Sequence, residues 1–302
     1  MSKAPTHASR CTVCKGRGYA LENRGGWVHA EYCTCFSCGK CDGSGRVFHQ
    51  NERGVAYLGD CDCSVLKNRF KMLNAAGIPG KFADSSFENY LAGERPQKTA
   101  KSRAEDFIKD FRKSQDRFHR GLVFMGGPGL GKTHLCAAIL KTLILEDGID
   151  GKFVDFFQLL SDIRHAYSQD MSERTLIQPY IRSRVLVIDE LAKGRNNEWE
   201  LTVLDQFISS RYNAANSVTL FTTNYLNQPP GKNRKSRKED GEYVDTSRKI
   251  FPDTFKNETL QDRIGSRIYS RVAEMSLFIK MEGADFRQNV KKPLSTPLRG
   301  RK

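Results

Sequence analysis

Residues 126–133 read Gly-Gly-Pro-Gly-Leu-Gly-Lys-Thr, a set of residue types suited to holding a phosphate chain. Glycines let successive backbone N–H groups turn toward phosphate oxygens. Lys132 can reach the β- and γ-phosphates, and the Thr133 hydroxyl is a ligand for Mg²⁺. The run predicts ATP held by Gly126, Gly127, Gly129, Gly131, Lys132, Thr133 and His134. Farther on, the apolar stretch Val185-Leu186-Val187-Ile188 ends in Asp189-Glu190. A carboxylate at the C-terminal end of a buried strand lies where ligands collect in such sheets. Asp189 is expected to hold Mg²⁺ through water, and Glu190 to polarise the attacking water.

A second chemistry is written in the cysteines. Eight of nine fall within the first 63 residues, and they repeat one plan. Cys11-x-x-Cys14-x-Gly-x-Gly is followed by Cys33-x-Cys35, with eighteen residues between Cys14 and Cys33; Cys38-x-x-Cys41-x-Gly-x-Gly is followed by Cys61-x-Cys63, with nineteen between Cys41 and Cys61. Four thiolates close a tetrahedral ion with no position left for water, so two structural zinc ions are expected. Gly16, Gly18, Gly43 and Gly45 allow the chain to wrap round the ion. Each half is too small to bury a core, so the metal should supply its folding energy. The sequential grouping (11, 14, 33, 35 and 38, 41, 61, 63) is preferred, with an interleaved one open. A disulfide-stapled module is the lesser reading, because Met-Ser-Lys-Ala-Pro-Thr-His does not begin an export signal. With both sites complete, His29 and His49 read as solvated, and Trp27, Tyr32 and Phe36 as what core the module has.

These groups need elements to position them. Leu122–Met125 reads as a buried strand running into the glycine-rich loop, and Leu135, Ala138, Ile139 and Leu143 continue at helical period. A strand over Val218–Thr222 leads to Thr223-Asn224, and one over Leu277–Met281 leads to Gly283-Ala-Asp-Phe-Arg287. Upstream, Val65, Leu66, Phe70 and Leu73 place a helix over 64–75, ended by Gly77-Ile78-Pro79. Ala104, Phe107, Ile108, Phe111 and Phe118 place another over 104–118. Between them Phe82, Phe87 and Tyr90 read either as core or as a segment near the nucleotide. Arg263, Arg267 and Arg271 recur every four residues, on one face of a helix. Cys136 reads as a small buried residue.

The chain has 302 residues and a formal net charge of +14, which favours polyanionic partners. Residues 231–249 carry seven basic and four acidic side chains, and 287–302 carry six basic and none acidic. They read as a disordered insertion and a flexible tail. No stretch approaches the roughly 18 apolar residues of a membrane span. The expectation is a soluble, cytoplasmic protein without membrane contact.

At Asn224 the chain resembles AAA+ ATPases, whose polar sensor follows the equivalent strand. The Thr222-Thr223-Asn224 triplet, the Phe87-Glu-Asn-Tyr90 segment and the Arg211-Tyr212 pair narrow the resemblance to the DnaC/DnaI/IstB-type group over residues 76–287. It implies an α/β domain with a parallel five-stranded sheet sandwiched by helices and no helical lid. It implies that Asn224 orients water, that Arg271 (with Arg267 second) is a finger for a neighbouring subunit's γ-phosphate, and that Arg287 is a second sensor. Self-association follows from a finger supplied in trans. The Cys-x-x-Cys-x-Gly-x-Gly elements resemble the DnaJ cysteine-rich region. The domain plan is then a small, mostly β/loop zinc module at 1–63, a helix and linker at 64–103, and an ATPase domain at 104–290. The ATPase domain carries the insertion at about 228–252, and a tail follows at 291–302. The resemblance implies a replicative helicase loader, binding single-stranded DNA with Phe157, Arg164, His165, Tyr167, Arg174 and Arg182 and gripping the helicase through its zinc module. A transposition helper on duplex DNA and a zinc-ribbon adaptor with an ATP-driven assembly switch are the alternatives.

Overall fold

The structure is a computed structural model that describes residues 6–7, 11–113, 120–169, 172–194, 197–214, 216–227, 235–237, 243–245 and 258–289. Phe118, most of the basic insertion and the tail 291–302 lie outside the described residues. The N-terminal repeat builds two hairpins. In chain order its strands are β1 (Thr6–His7), β2 (Tyr19–Arg24), β3 (Trp27–Tyr32), β4 (Phe36–Ser37), β5 (Arg46–Gln50) and β6 (Ala56–Asp60). β2 pairs antiparallel with β3, β5 with β6, and β1 with β4. Alternation along β3 sends Val28 and Ala30 inward and leaves Trp27 54% exposed, so the tryptophan is not the core residue it was expected to be.

Helix α1 (Asp62–Asn74) starts on the second Cys pair and lies across the first hairpin. Phe70 and Leu73 are buried and Leu66 half-buried, whereas Val65 faces water. Ring contacts from Phe70 to Tyr19 and Tyr32, at 5.5 and 5.0 Å between centroids, close this face. α2 (Arg95–Lys113) begins before residue 104, because Gln97 and Ala100 also face the core and extend the buried stripe by two turns.

The central sheet contains β7 (Gly121–Met125), β8 (Gly151–Asp155), β9 (Val185–Asp189), β10 (Val218–Thr223) and a last strand, Ser276–Lys280. Two short strands, β11 (Lys235–Arg237) and β12 (Tyr243–Asp245), pair with each other, so the last sheet strand is β13. The sheet order is β13-β7-β10-β9-β8, and every pairing is parallel. β7, β9 and β10 are buried along their whole length, which is why they read as continuous apolar runs. One face is covered by α1, α2 and α3 (Lys132–Asp147). The other is covered by α4 (Phe156–Tyr167), α5 (Glu173–Arg182), α6 (Glu198–Asn213) and α7 (Leu260–Met275). A short α8 (Phe286–Asn289) follows β13. This is the layered α/β architecture expected. Val28 and Ala30 of the first hairpin belong to the same apolar cluster as α1, α2 and α3, so that hairpin is part of the core. Among the described residues no helix is long and apolar enough to cross a membrane.

Candidate functional site

The C-terminal ends of the central strands bring the predicted residues together. Met125 of β7 pairs with Thr223 of β10, and β9 lies on the other side of β10 and ends at Asp189, so the loop after β7 opens beside the C-terminal ends of β9 and β10. The loop itself needs glycine in two places. At Gly129 (φ +72°) a Cβ would lie 1.6 Å from Asp285 Oδ1, and at Gly131 (φ +83°) 2.5 Å from the Tyr90 ring. Lys132 opens α3 and is buried. Its ammonium donates to the carbonyls of Gly126 (2.7 Å) and Gly127 (2.6 Å) and to Asn224 Oδ1 (2.9 Å). Burial pushes its pKa down to about 8, and Asp189 pulls the other way. Phosphate oxygens in the loop would favour the ammonium form further.

Thr133 Oγ1 donates to Asp189 Oδ1 at 2.8 Å, so both predicted Mg²⁺ ligands share one point. Asp189 is buried, which raises its pKa; hydrogen bonds from Thr222 and Thr133 oppose the rise. Thr222 links two strands here: its hydroxyl donates to Asp189 Oδ1 at 2.6 Å and accepts the Glu190 N–H at 2.9 Å. Glu190 itself has φ +56°, a left-handed conformation that a non-glycine residue adopts only when its surroundings hold it. Its carboxylate is paired with Lys193. Sequence reasoning passed over Thr222 and Lys193 as contributors; the Thr-Thr-Asn triplet was the available signal for the first.

The aromatic segment after α1 settles onto the loop. Tyr90 donates its hydroxyl to the Leu130 carbonyl at 3.0 Å and packs edge-on against His134, whose Nε2 lies 2.8 Å from the Ser86 carbonyl. Burial lowers the His134 pKa. Lys141 donates to the carbonyls of Phe82 and Ala83 at 2.8 and 2.6 Å, and the Gly80 N–H bonds Gly26 O at 2.7 Å. Residues 80–90 therefore run as one strap from the first hairpin to the phosphate loop. At the other side, the Phe286 N–H donates to Gly129 O at 3.1 Å, which brings α8 and Arg287 to the same loop; the Arg287 side chain is exposed.

The three arginines of α7 do not share a face. Gly265, at φ +78° and ψ 155°, kinks the helix between Arg263 and the other two. Arg263 turns inward: it donates to Gly194 O at 2.6 Å and lies over the Tyr225 ring. Arg267 and Arg271 both reach Asp205 on α6. Phe157, Arg164, His165, Tyr167, Arg174 and Arg182 are all exposed, although Arg164 is held against Trp199 and Glu200.

The eight N-terminal thiols gather into two sets of four in the sequential grouping, each set within 4.8 Å of itself. Cys11–Cys33 and Cys14–Cys35 are 3.7 and 3.4 Å apart; Cys38–Cys61 and Cys41–Cys63 are 3.6 and 3.4 Å apart. Sulfurs about 2.3 Å from one tetrahedral ion lie about 3.8 Å from each other, whereas a disulfide requires about 2.05 Å. The donor set and spacing fit zinc and not a bridge. Burial pushes the Cys14 and Cys41 thiols up, but amides of the following glycines and the partner cysteines prevail, and both lie at about 6. His29 and His49 stand outside both sets, and Cys136 is fully buried.

Comparison with known proteins accords with this geometry. The chain is 25% identical over 163 residues to the uncharacterised protein YqaM of Bacillus subtilis (strain 168), covering 52% of this chain and 51% of that one. It is 26% identical over 159 residues to the replicative helicase loader DnaC of Escherichia coli (strain K12), covering 52% and 63%. The chain thus spans between half and two thirds of the length of these relatives. The crystal structure of the DnaC helicase loader superposes with a TM-score of 0.51 at 25% identity, over 67% of this chain and 98% of that one. The family model described as IstB-like ATP binding protein matches residues 68–228, more than half of the sequence, so the chain belongs to that family, with the AAA+ type of fold.

Proposed function

We propose that the chain is a Mg²⁺-dependent ATPase that works in the cytoplasm to place a replicative helicase on single-stranded DNA. The observation that carries the ATPase reading is a pair of contacts at the ends of β7, β9 and β10: Lys132 Nζ donates to Asn224 Oδ1 at 2.9 Å, and Thr133 Oγ1 donates to Asp189 Oδ1 at 2.8 Å. Lys132 would exchange its loop carbonyls for the β- and γ-phosphate oxygens. Thr133 and Asp189 would hold Mg²⁺, which supplies positive charge to the terminal phosphates when bound. Glu190, fixed through Thr222, would take a proton from water as that water attacks phosphorus, and Asn224 would orient it. Arg271, with Arg267, would complete the site from a neighbouring subunit, and Arg287 would sense the nucleotide across the loop. Eight cysteines would carry two zinc ions that hold the N-terminal hairpins in shape.

The loader reading is supported by the similarity to DnaC and by exposed basic and aromatic side chains between β8 and β9, the combination that single strands bind. The family's IstB-like description favours a second reading, a transposition helper on duplex DNA. The test is to offer the full-length chain, with ATP, a replicative helicase, a transposase and an unfolded client protein in parallel. Retention of the helicase, with salt-sensitive preference for single strands over duplex, supports loading. Retention of the transposase with duplex preference replaces it, and retention of the client alone supports an adaptor. Lys132→Ala should abolish ATP binding and, with it, the ATP dependence of any capture.

A further inference from the structure

Arg267 and Arg271 lie four residues apart beyond the Gly265 kink, so both project from one side of the same helical segment. A single carboxylate on the adjacent helix receives them. Asp205 Oδ1 takes Arg271 Nη1 at 2.7 Å, and Asp205 Oδ2 faces Arg267 Nη2 at 3.5 Å. The Ser209 hydroxyl, one turn along α6, lies 3.5 Å from the same Oδ1. The two arginines differ in freedom: the Arg267 side chain is 74% exposed, that of Arg271 only 24%. Arg271 is therefore confined, and among the described residues its one hydrogen bond is through Nη1. A guanidinium has five N–H donors in a planar fork. Held by one corner, it keeps Nε and Nη2, the edge that grips a phosphate in bidentate fashion.

We propose that Asp205 is the positioning residue of the finger: it anchors Arg271 by one corner so that the opposite edge is presented, already oriented, to the neighbouring subunit's terminal phosphate. Arg267 shares the carboxylate and screens its charge, which keeps Asp205 from repelling the incoming nucleotide. The inference rests on the reading of Arg271 as a finger supplied in trans. Asp205 touches no reacting atom in this scheme; it acts through Arg271, and only in the subunit that donates it.

The direct test measures ATP turnover and ATP affinity for full-length Arg271→Ala, Asp205→Ala, Asp205→Asn and Asp205→Glu. Asp205→Ala should lower kcat at least tenfold and leave the ATP dissociation constant within twofold. Asp205→Asn, which keeps the acceptor oxygen but not the charge, should fall between, and Asp205→Glu should recover part of the loss. Mixing separates positioning from damage to the subunit's own site. Asp205→Ala subunits have an intact phosphate loop, so adding Lys132→Ala subunits, which hold no nucleotide but carry a sound finger, should restore turnover. If Arg271→Ala loses turnover while Asp205→Ala does not, or if the mixture stays at the sum of its parts, the positioning role is wrong. If Arg271→Ala turns over normally, the finger reading fails, whatever Asp205 does.

Discussion

Leu21 and Ala30 face each other across the first hairpin, and Phe48 and Leu58 face each other at the same positions of the second. Each pair stands seven residues beyond its Cys-x-x-Cys and three before its Cys-x-Cys. Their surroundings differ. Val28 and Ala30 join the core with α1 and Leu21 packs against that cluster, and the Ala30 N–H and carbonyl are both bonded by the Asn74 side chain at 2.7 and 3.2 Å. Phe48 is 79% exposed and Leu58 51%, with Val55 and Tyr57 also open to water. The same four-cysteine hairpin thus serves once as a wall of the α/β domain and once as an arm with its apolar side chains open to water. A metal knuckle needs no core to exist, so duplication leaves one copy free to become structural while the other stays outside.

Removing metal should give the largest effect. Chelation should unfold both hairpins, as expected of small modules closed on a structural ion. Cys14→Ser should cost more global stability than Cys41→Ser, because losing the first hairpin uncovers Phe70 and Leu73. Melting followed by calorimetry, with zinc counted per chain, checks this; equal shifts for the two variants would erase the distinction between the copies. Next comes Val28→Ala, which leaves a gap against α1 and should cost about 2 kcal/mol. At about 2–4 °C per kcal/mol for a domain of this size, the melting point should fall by roughly 4–8 °C. The smallest effect belongs to the arm. Phe48→Ser with Leu58→Ser should change stability by no more than about 0.5 kcal/mol, and a large loss there would mean that the second hairpin is covered in the free protein.

The phosphate loop, the Asp189-Glu190 pair and both cysteine sets were legible because each is a local run or a repeated spacing of the kind that binding a single ligand would require. The contacts of Thr222, Lys193 and Asp205 were not, since each depends on a partner brought alongside by folding: Thr222 meets Asp189 across two strands, and Asp205 meets Arg271 across two helices. Two misreadings had visible signals. Gly265 inside the arginine run marked the kink that turns Arg263 inward. Period-two alternation in Trp27–Tyr32 marked Trp27 as the outward residue and Val28 as the inward one. The docking of the first hairpin had no local signal at all, because Asn74 and Ala30 are 44 residues apart and their pairing is set by how α1 crosses the repeat.

Wall and arm matter only if the site behind the wall turns over nucleotide. The most direct measurement is single-turnover hydrolysis of Mg-ATP by the full-length chain beside Glu190→Gln, with ATP affinity measured on both. The chain should hydrolyse ATP, and Glu190→Gln should bind it with unchanged affinity while cleaving it about 100-fold or more slowly, the usual scale for a positioned acid–base group. Equal rates for the two proteins would contradict the assignment of this site as a hydrolytic one.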